Sequence, residues 1–314
     1  MFISLCLNPS IDNAVYLDEL RINTNNRYNS GLMTAGGKGI NIARALKLYG
    51  SECKVLGFSG GFLGELLEGE LEREDIDFDF LRTVAPTRMN IKIIEQKAEN
   101  RFTEINSAGG PISAAEYTAL VENLLEMLKN SPSSDRKYLF LSGSIPQGVE
   151  KSVYNYIIGE ANKLGFKCIA DCDNTALEYA IQAKPYLIKP NKREFEMLAK
   201  KEFSTISDMK EYAKGIIDSF GTRVFCTYGQ EGSFYMGPEG VYDGNAVDIT
   251  EHNPVGAGDV SLASFIYEFD RTGDIRAALD FAMAAGAATA ETMGCNMPEK
   301  ARIFELLQRL NGKV

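Results

Sequence analysis

Short apolar runs alternate with longer segments of helical period along most of this chain. This alternation is typical of βα units, in which helices cover both faces of a mostly parallel sheet. Most of the runs are apolar throughout, as expected for strands that are buried on both faces. We therefore predict an α/β fold. The predicted strands span residues 2–7, 53–58, 138–141, 166–170, 186–188 and 223–227.

The longer segments carry apolar residues three and four positions apart, which is the spacing of one helix face. Within residues 114–128, for example, Leu120, Leu124 and Leu128 repeat at intervals of four. The predicted helices span residues 39–48, 114–128, 149–164, 193–198, 207–220, 260–269, 275–292 and 298–310.

Two stretches, residues 12–34 and 78–106, alternate polar and apolar residues instead, as in Met-Asn-Ile-Lys-Ile at 89–93. A period of two predicts strands with one solvated face. We expect these two insertions to form a small antiparallel sheet, a lid, outside the main body. Because no repeat or linker is visible, we predict one domain over residues 1–314.

The composition excludes several classes of function. The chain has 33 Lys and Arg against 43 Asp and Glu, a net charge of −10, and its cations are dispersed. This argues against a nucleic-acid partner, which requires a basic face. The longest small and apolar run, residues 281–290, is about half of a membrane span, and the amino terminus lacks the basic region of a secretory signal. We expect a cytoplasmic protein without a membrane partner.

The six cysteines are scattered along the chain, four of them in or beside apolar segments. We interpret them as reduced thiols of the core. Cys168 and Cys172 have the closest spacing, but His252 is the only histidine and is distant in sequence. Structural zinc is therefore not expected.

Residues 253–259, Asn-Pro-Val-Gly-Ala-Gly-Asp, directly precede a predicted helix. Glycines at a helix start let backbone N–H groups face an anion, and the helix dipole adds positive potential there. An aspartate beside such a site is suited to accept the proton of a hydroxyl that attacks phosphorus, while the amides hold the growing charge. The alternative is a tight turn in which Asp259 only caps the helix.

Residues 35–41, Ala-Gly-Gly-Lys-Gly-Ile-Asn, also enter a predicted helix. Three glycines in four residues indicate that something approaches the backbone closely. A Walker A loop is excluded because Gly37 stands where its lysine belongs. A dinucleotide-binding loop is excluded because this segment does not follow the first strand. A glycine-rich hairpin turn remains the alternative.

Two weaker motifs follow buried strands: Lys-Pro-Asn-Lys-Arg-Glu at 189–194 and Thr-Tyr-Gly-Gln-Glu-Gly at 227–232. Asn191 and Glu194 lie three residues apart at a helix start and face the same side. Both are oxygen ligands suitable for ordering magnesium-bound water. Alternatively, Glu194 interacts only with the helix dipole.

Together these motifs, in this order, resemble the ribokinase-like carbohydrate kinases of the PfkB family. The resemblance covers essentially the whole chain. Asn-Pro-Ser-Ile-Asp at 8–12 and Ser-Gly-Ser-Ile-Pro-Gln-Gly at 142–148 resemble its hexose-phosphate branch. The resemblance implies a ribokinase-like three-layer fold with a β-sheet lid that often forms a dimer interface, and Mg²⁺ with ATP as the phosphoryl donor. We accordingly expect a homodimer.

The resemblance also implies a role for each matching residue. Asp259 matches the catalytic base, and Gly256, Ala257 and Gly258 match the anion hole. The positions that match the acceptor-sugar site are Asp12, Gly36, Gly37, Lys38 and Asn41. Those that match the ATP site are Lys189, Asn191, Thr227, Gly229 and Gly232, with Asn191 and Glu194 near magnesium through water. Val260 departs from the family, in which a small residue usually follows the base.

A substrate that already carries a phosphate needs its own cations, and the predicted lid offers Arg27, Arg88 and Arg101. We therefore expect ATP-dependent phosphorylation of a ketohexose monophosphate, with fructose 1-phosphate giving fructose 1,6-bisphosphate. The alternative acceptors are tagatose 6-phosphate, then fructose 6-phosphate or free fructose. The alternatives of another class are a sugar-phosphate sensor without turnover and, more distantly, a Rossmann dehydrogenase.

Overall fold

The structure is a computed structural model that describes residues 1–97, 101–251, 255–292 and 297–312. The strands within these ranges are β1 Phe2–Cys6, β2 Ser10–Leu17, β3 Ser30–Gly36, β4 Cys53–Ser59, β5 Phe78–Arg82, β6 Arg88–Glu95, β7 Arg101–Ile105, β8 Tyr138–Ser142, β9 Lys167–Asp171, β10 Leu187–Ile188, β11 Arg223–Thr227, β12 Ser233–Gly237 and β13 Gly240–Gly244. The α-helices are α1 Lys38–Leu48, α2 Gly61–Arg73, α3 Ala114–Lys129, α4 Val153–Lys163, α5 Asn174–Gln182, α6 Lys192–Ala199, α7 Ile206–Phe220, α8 Ala257–Thr272, α9 Ile275–Ala290 and α10 Lys300–Leu310.

A nine-stranded sheet, in the order β13-β12-β11-β10-β9-β8-β1-β4-β5, forms the centre of the molecule. Seven neighbouring strands of this sheet, β11-β10-β9-β8-β1-β4-β5, pair in parallel. The strands β12 and β13 add an antiparallel hairpin at the β11 edge. Successive residues of β1 enter opposite cores: Ile3 and Leu5 pack with α3 to α7, whereas Phe2 and Cys6 pack with α1, α2 and α8 to α10. This arrangement confirms the predicted α/β fold with helices on both faces.

A separate four-stranded sheet, in the order β3-β2-β6-β7, covers one end of the central sheet. We call it the lid. Its outer pairs are antiparallel, but β2 and β6 pair in parallel, so the sheet is mixed rather than antiparallel as expected. The segment Phe78–Arg82 lies at the edge of the central sheet, parallel to β4. Its alternating pattern suits an edge strand as well as a lid strand, because both have one solvated face.

The sequence analysis did not predict several elements of the structure. The helices α2 and α5 and the hairpin β12–β13 were not expected. In α2, Gly61, Gly64 and Gly69 dilute the helical pattern, and only Gly64, Leu67 and Leu71 are buried. Glycine disfavours a helix interior, so tertiary packing has to supply the stability that local propensity lacks.

The cysteines within the described ranges, Cys6, Cys53, Cys168, Cys172 and Cys226, are all buried free thiols. Cys295 and His252 lie outside the described residues. None of the helices in the described part of the chain has both the length and the apolar character needed to cross a membrane.

Candidate active site

A cavity of about 810 Å³ lies between the lid and the carboxyl ends of the central strands. This is where open parallel sheets bind ligands, because loops from several strands converge there. The cavity brings together most of the residues that the sequence singles out. Those lining it are Asp12, Gly37, Lys38, Asn41, Arg88, Lys189, Asn191, Glu194, Thr227, Gly229, Gly232, Gly256, Ala257, Gly258 and Asp259.

Asp259 lies in the first turn of α8, buried in the wall of the cavity. Its Oδ2 accepts a hydrogen bond from Asn41 Nδ2 at 2.8 Å. Burial raises the pKa of Asp259 to about 6, with a further contribution from the negative charge of Asp171, against the opposing effect of Lys38. A carboxyl with this pKa is ionised at neutral pH and poised to take up a proton, as general-base catalysis requires.

The anion site that the sequence analysis predicts falls at the start of α8. Gly256 is the N-cap, with a φ of 84° that favours glycine. A Cβ at Gly258 would lie 3.3 Å from Lys189 Nζ, so the helix start closely approaches a lysine. The first N–H groups of a helix have no partner within it, and here they lie beside an ammonium group. Asn253 and Pro254 of the same motif lie outside the described residues.

Asp171 interacts with two lysines close to Asp259. It ends β9, is buried, and places Oδ1 2.7 Å from Lys38 Nζ and Oδ2 3.6 Å from Lys189 Nζ. Burial alone would raise the pKa of Asp171, but the two lysines outweigh it and hold the pKa below its ordinary value. Lys38 also faces Glu194 and Asp259, so the two ammonium groups are balanced by carboxylates and are held in place beside the start of α8. The sequence analysis missed Asp171, although it directly follows a predicted strand.

The lid end of the cavity is lined by polar side chains that form hydrogen bonds and ion pairs with one another. Asp12 forms an ion pair with Lys92 at 2.8 Å and accepts hydrogen bonds from Ser10 and Asn90, both at 2.8 Å. Burial opposes ionisation of Asp12, yet Lys92 and these hydrogen bonds lower its pKa. Gly36 lies behind this carboxylate rather than in the cavity wall, since a Cβ there would come within 2.5 Å of Asp12 Cγ.

The three predicted lid arginines separate in the structure. Arg88 lines the cavity, where it donates to the carbonyl oxygens of Asn8 and Ser107. Arg101 lies elsewhere, in a two-pronged ion pair with Glu95. Arg27 lines a different cavity, near Asp18 and at the outer end of the lid. Within this chain, therefore, only Arg88 of the three lines the cavity that contains Asp259.

Asn191 and Glu194 form a capping box at the start of α6. Asn191 Oδ1 accepts from the Glu194 backbone N–H, and Glu194 Oε2 accepts from the Asn191 backbone N–H, both at 2.9 Å. The sequence analysis did not predict this capping box, although it placed Glu194 in the first turn of a helix. The second carboxylate oxygen, Glu194 Oε1, lies 3.7 Å from Lys38 Nζ at the cavity wall.

Beyond Thr227, Gly229 and Gly232 the cavity has an apolar wall that the sequence analysis did not identify. The described residues that form it are Val247, Ile249, Met283, Ala287 and Ala290. They come from the segment after β13 and from α9. In the sequence, apolar residues in such positions cannot be distinguished from ordinary core residues. Only the fold shows that they face a cavity.

Comparison with known proteins agrees with this geometry. The family model described as "pfkB family carbohydrate kinase" matches residues 6–302. A 1-phosphofructokinase of Borreliella burgdorferi is 33% identical over 92% of each chain, and a tagatose-6-phosphate kinase of Staphylococcus epidermidis is 32% identical over 84% of this chain and 83% of the other.

Among solved structures, phosphofructokinase-2 from Escherichia coli in complex with substrates and products superposes with a TM-score of 0.92, at 25% identity and 99% coverage of each chain. The family model, the relatives and the fold therefore lead to one conclusion: the chain belongs to the pfkB family of carbohydrate kinases and is a phosphotransferase that acts on a sugar hydroxyl.

Proposed function

We propose that this protein transfers the γ-phosphoryl group of Mg-ATP to a ketohexose monophosphate, with fructose 1-phosphate as the preferred acceptor and fructose 1,6-bisphosphate as the product. The observation that carries the proposal is the position of Asp259 in a cavity whose lid end holds Arg88 and whose opposite wall is apolar. Relatives named 1-phosphofructokinase, including one of Bacillus subtilis at 29% identity, support this acceptor.

Asp259 acts as the general base in this mechanism. Its carboxylate takes the proton from the acceptor hydroxyl, and the freed oxygen attacks the γ-phosphorus in line. The backbone N–H groups at the start of α8 and the ammonium group of Lys189 stabilise the charge that spreads over the transferred phosphoryl group. Closure of the lid over the cavity excludes water and so suppresses hydrolysis of ATP.

The donor set beside the anion site fits a hydrated magnesium ion. Glu194 Oε1 is not used by the capping box, and hard oxygen ligands are those that Mg²⁺ prefers, often through retained waters. Asn191 and Glu194 would hold the ion through such waters. When bound with ATP, magnesium neutralises charge on the phosphates.

The acceptor's own phosphate requires a cation, and we assign Arg88 to it. The charge of Lys92 is already matched by Asp12 at 2.8 Å and Glu104 at 3.8 Å, whereas the three hydrogen bonds of Arg88 go to neutral groups, the backbone carbonyls of Asn8 and Ser107 and the side-chain amide of Asn90. The positive charge of Arg88 therefore remains available to an anion. A charge-assisted contact contributes about 1.5–3 kcal/mol, so one arginine separates a sugar phosphate from its free sugar by roughly 10–10².

The test is an ADP-release assay with Mg-ATP and five acceptors: fructose 1-phosphate, tagatose 6-phosphate, fructose 6-phosphate, fructose and ribose. We expect fructose 1-phosphate to exceed each other acceptor by at least about tenfold in kcat/KM, which corresponds to about 1.4 kcal/mol. Preference for tagatose 6-phosphate, the named substrate of another relative, would keep the chemistry and change the acceptor. A free sugar as the best acceptor, or no turnover at all, would contradict the proposal.

A further inference from the structure

Arg44 is a buried arginine of α1 that no step of the proposed mechanism uses. Its side chain is 8% exposed. Nε and Nη2 each donate to one carboxylate oxygen of Glu74, at the carboxyl end of α2, at 2.6 Å. The third nitrogen, Nη1, donates to the carbonyl oxygen of Ala35 at 2.7 Å and faces Asn41 Oδ1 at 3.4 Å.

These contacts continue to the catalytic base. Asn41 lies one turn before Arg44 on α1, and its Nδ2 donates to Asp259 Oδ2 at 2.8 Å. The amide of Asn41 thus has its oxygen toward Arg44 and its nitrogen toward Asp259. A guanidinium group can only donate and an ionised carboxylate can only accept, so the two neighbours impose the same orientation on the amide.

We propose that Arg44 is a positioning residue for phosphoryl transfer: it holds the Asn41 amide with its NH₂ group toward Asp259 and thereby fixes the base in the orientation that accepts the proton. The proposal rests on the assignment of Asp259 as the base. Without Arg44, only Asp259 itself orients the amide, so the side chain of Asn41 loses its second restraint and its hydrogen bond to the carboxylate weakens. Asp259 would then turn away from the reacting hydroxyl or hold a proton.

The contact with Ala35 extends the role of Arg44 to the lid. Ala35 lies in β3, next to Gly36 and opposite Ile11 in β2. The planar guanidinium group of Arg44 therefore contacts Glu74 at the end of α2, Ala35 near the end of a lid strand, and Asn41, which in turn contacts Asp259. If Arg44 served only to join α1 to α2, its pair with Glu74 would suffice and Nη1 would not be needed.

The charged groups that face Asp259 come from three elements: Lys38 from α1, Asp171 from β9 and Lys189 from the segment after β10. Asn41 contacts both Arg44 and Asp259, so Arg44 acts on the base through the amide. The hydrogen bond from Asn41 lowers the pKa of Asp259. Its loss is therefore expected to raise the pKa of that carboxyl further.

The test compares Arg44→Met with Lys47→Met in the full-length enzyme. Lys47 is a matched control because it lies on the same helix and forms an ion pair with Asp75, the neighbour of Glu74, far from the amide of Asn41. We expect Arg44→Met to lower kcat about tenfold, to leave both KM values within about twofold and to move the acidic limb of the kcat profile upward by about one pH unit. Lys47→Met should leave all three unchanged.

Melting temperatures of both variants show whether a loss of kcat comes from lost positioning of the base or from lower stability of the fold. A kcat loss in Arg44→Met no larger than in Lys47→Met, or a change confined to KM, would overturn the proposal. If Arg44→Met does not fold, Arg44→Lys takes its place, because one ammonium group cannot serve Glu74, Ala35 and Asn41 together. We expect the same shifts at about threefold in kcat, and wild-type kcat and pH profile in this variant would overturn the proposal.

A second readout does not depend on turnover. Carbon-13 labelling of aspartate carboxyl groups, with the Asp259 signal assigned from Asp259→Asn, gives the titration of this carboxyl directly by NMR. An upward shift in Arg44→Met supports the positioning role even if no acceptor is phosphorylated, which would contradict only the proposed function. An unchanged titration, together with unchanged kcat, would contradict the role of Arg44.

Discussion

At the scale of single residues, the site depends on a carboxylate whose ionisation is disfavoured by burial and favoured by two neighbouring lysines. Burial pushes the pKa of Asp259 up, while Lys38, Lys189 and the amide of Asn41 limit the increase. The sequence predicts Asp259 from the glycines around it, because a helix start that binds an anion needs an unobstructed backbone. It does not predict Asp171, since one aspartate after a strand carries no distinctive pattern.

The raised pKa of Asp259 predicts how activity depends on pH. A general base works in its deprotonated form, so kcat should fall about tenfold per unit as the pH drops below about 6. Asp259→Asn should lower kcat by about 10²–10⁴ and remove this acidic limb, because an amide cannot take the proton. Steady-state kinetics from pH 5 to 8 give the profile, and ATP binding by calorimetry is the control. Near-normal turnover in Asp259→Asn would eliminate it as the base.

At the scale of elements, the period of two in the lid strands decides which side chains face the cavity. Arg88, Asn90 and Lys92 alternate along β6 and all line the cavity. Lys92 pairs with Glu104 across the ladder, whereas Arg101 pairs with Glu95, three positions further along β6 and hence on the opposite face. The sequence shows the alternation, but the pairing register that puts Arg101 outside is a property of the folded sheet.

This difference predicts unequal effects of two arginine substitutions. Arg88→Ala should raise KM for the sugar phosphate by roughly tenfold or more, because a charge-assisted contact is lost. Arg101→Ala removes a contact of the outer face and should leave that KM within about twofold. Initial-rate kinetics at saturating ATP measure both, with KM for ATP as the internal control. Equal effects of the two substitutions would contradict the assignment of Arg88.

At the scale of the whole molecule, the lid carries large apolar side chains that a single chain leaves exposed. They lie on both edge strands: Leu32 and Met33 on β3 are 42% and 46% exposed, and Phe102 and Ile105 on β7 are 38% and 54% exposed. Exposed apolar groups of this size favour an interface. We propose that two copies associate through the lid as a homodimer.

Light scattering coupled to size-exclusion chromatography tests this proposal. The wild type should elute at twice the mass of the 34.6 kDa chain. Met33→Asp with Ile105→Asp, which lie in one cross-strand row on the face opposite Lys92, should shift it toward the monomer, because a buried unpaired charge destabilises an interface. Val241→Asp is the control, since Val241 is 52% exposed on β13, an edge strand of the other sheet. A monomeric wild type, or a shift toward the monomer in Val241→Asp as large as in the lid variant, would contradict the proposal.

The sequence by itself determines the layered fold and the centre of the site. Apolar runs set the parallel strands, helical periods set the layers, and glycines beside Asp259 and Lys38 mark backbone that must stay accessible. These signals are local, so they can be read within a few residues. The elements that were missed, such as α2, are those whose local pattern is weak and whose stability comes from packing.

Only the tertiary structure decides the partners of each charge. Asp171 contacts Lys38 and Lys189, and Arg44 contacts Asn41. Arg101 forms an ion pair with Glu95 outside the cavity. Each of these outcomes depends on which strands are adjacent and in which register. Segments distant in sequence meet at the carboxyl ends of the strands, and the burial that tunes the pKa of Asp259 exists only once the surrounding elements have packed.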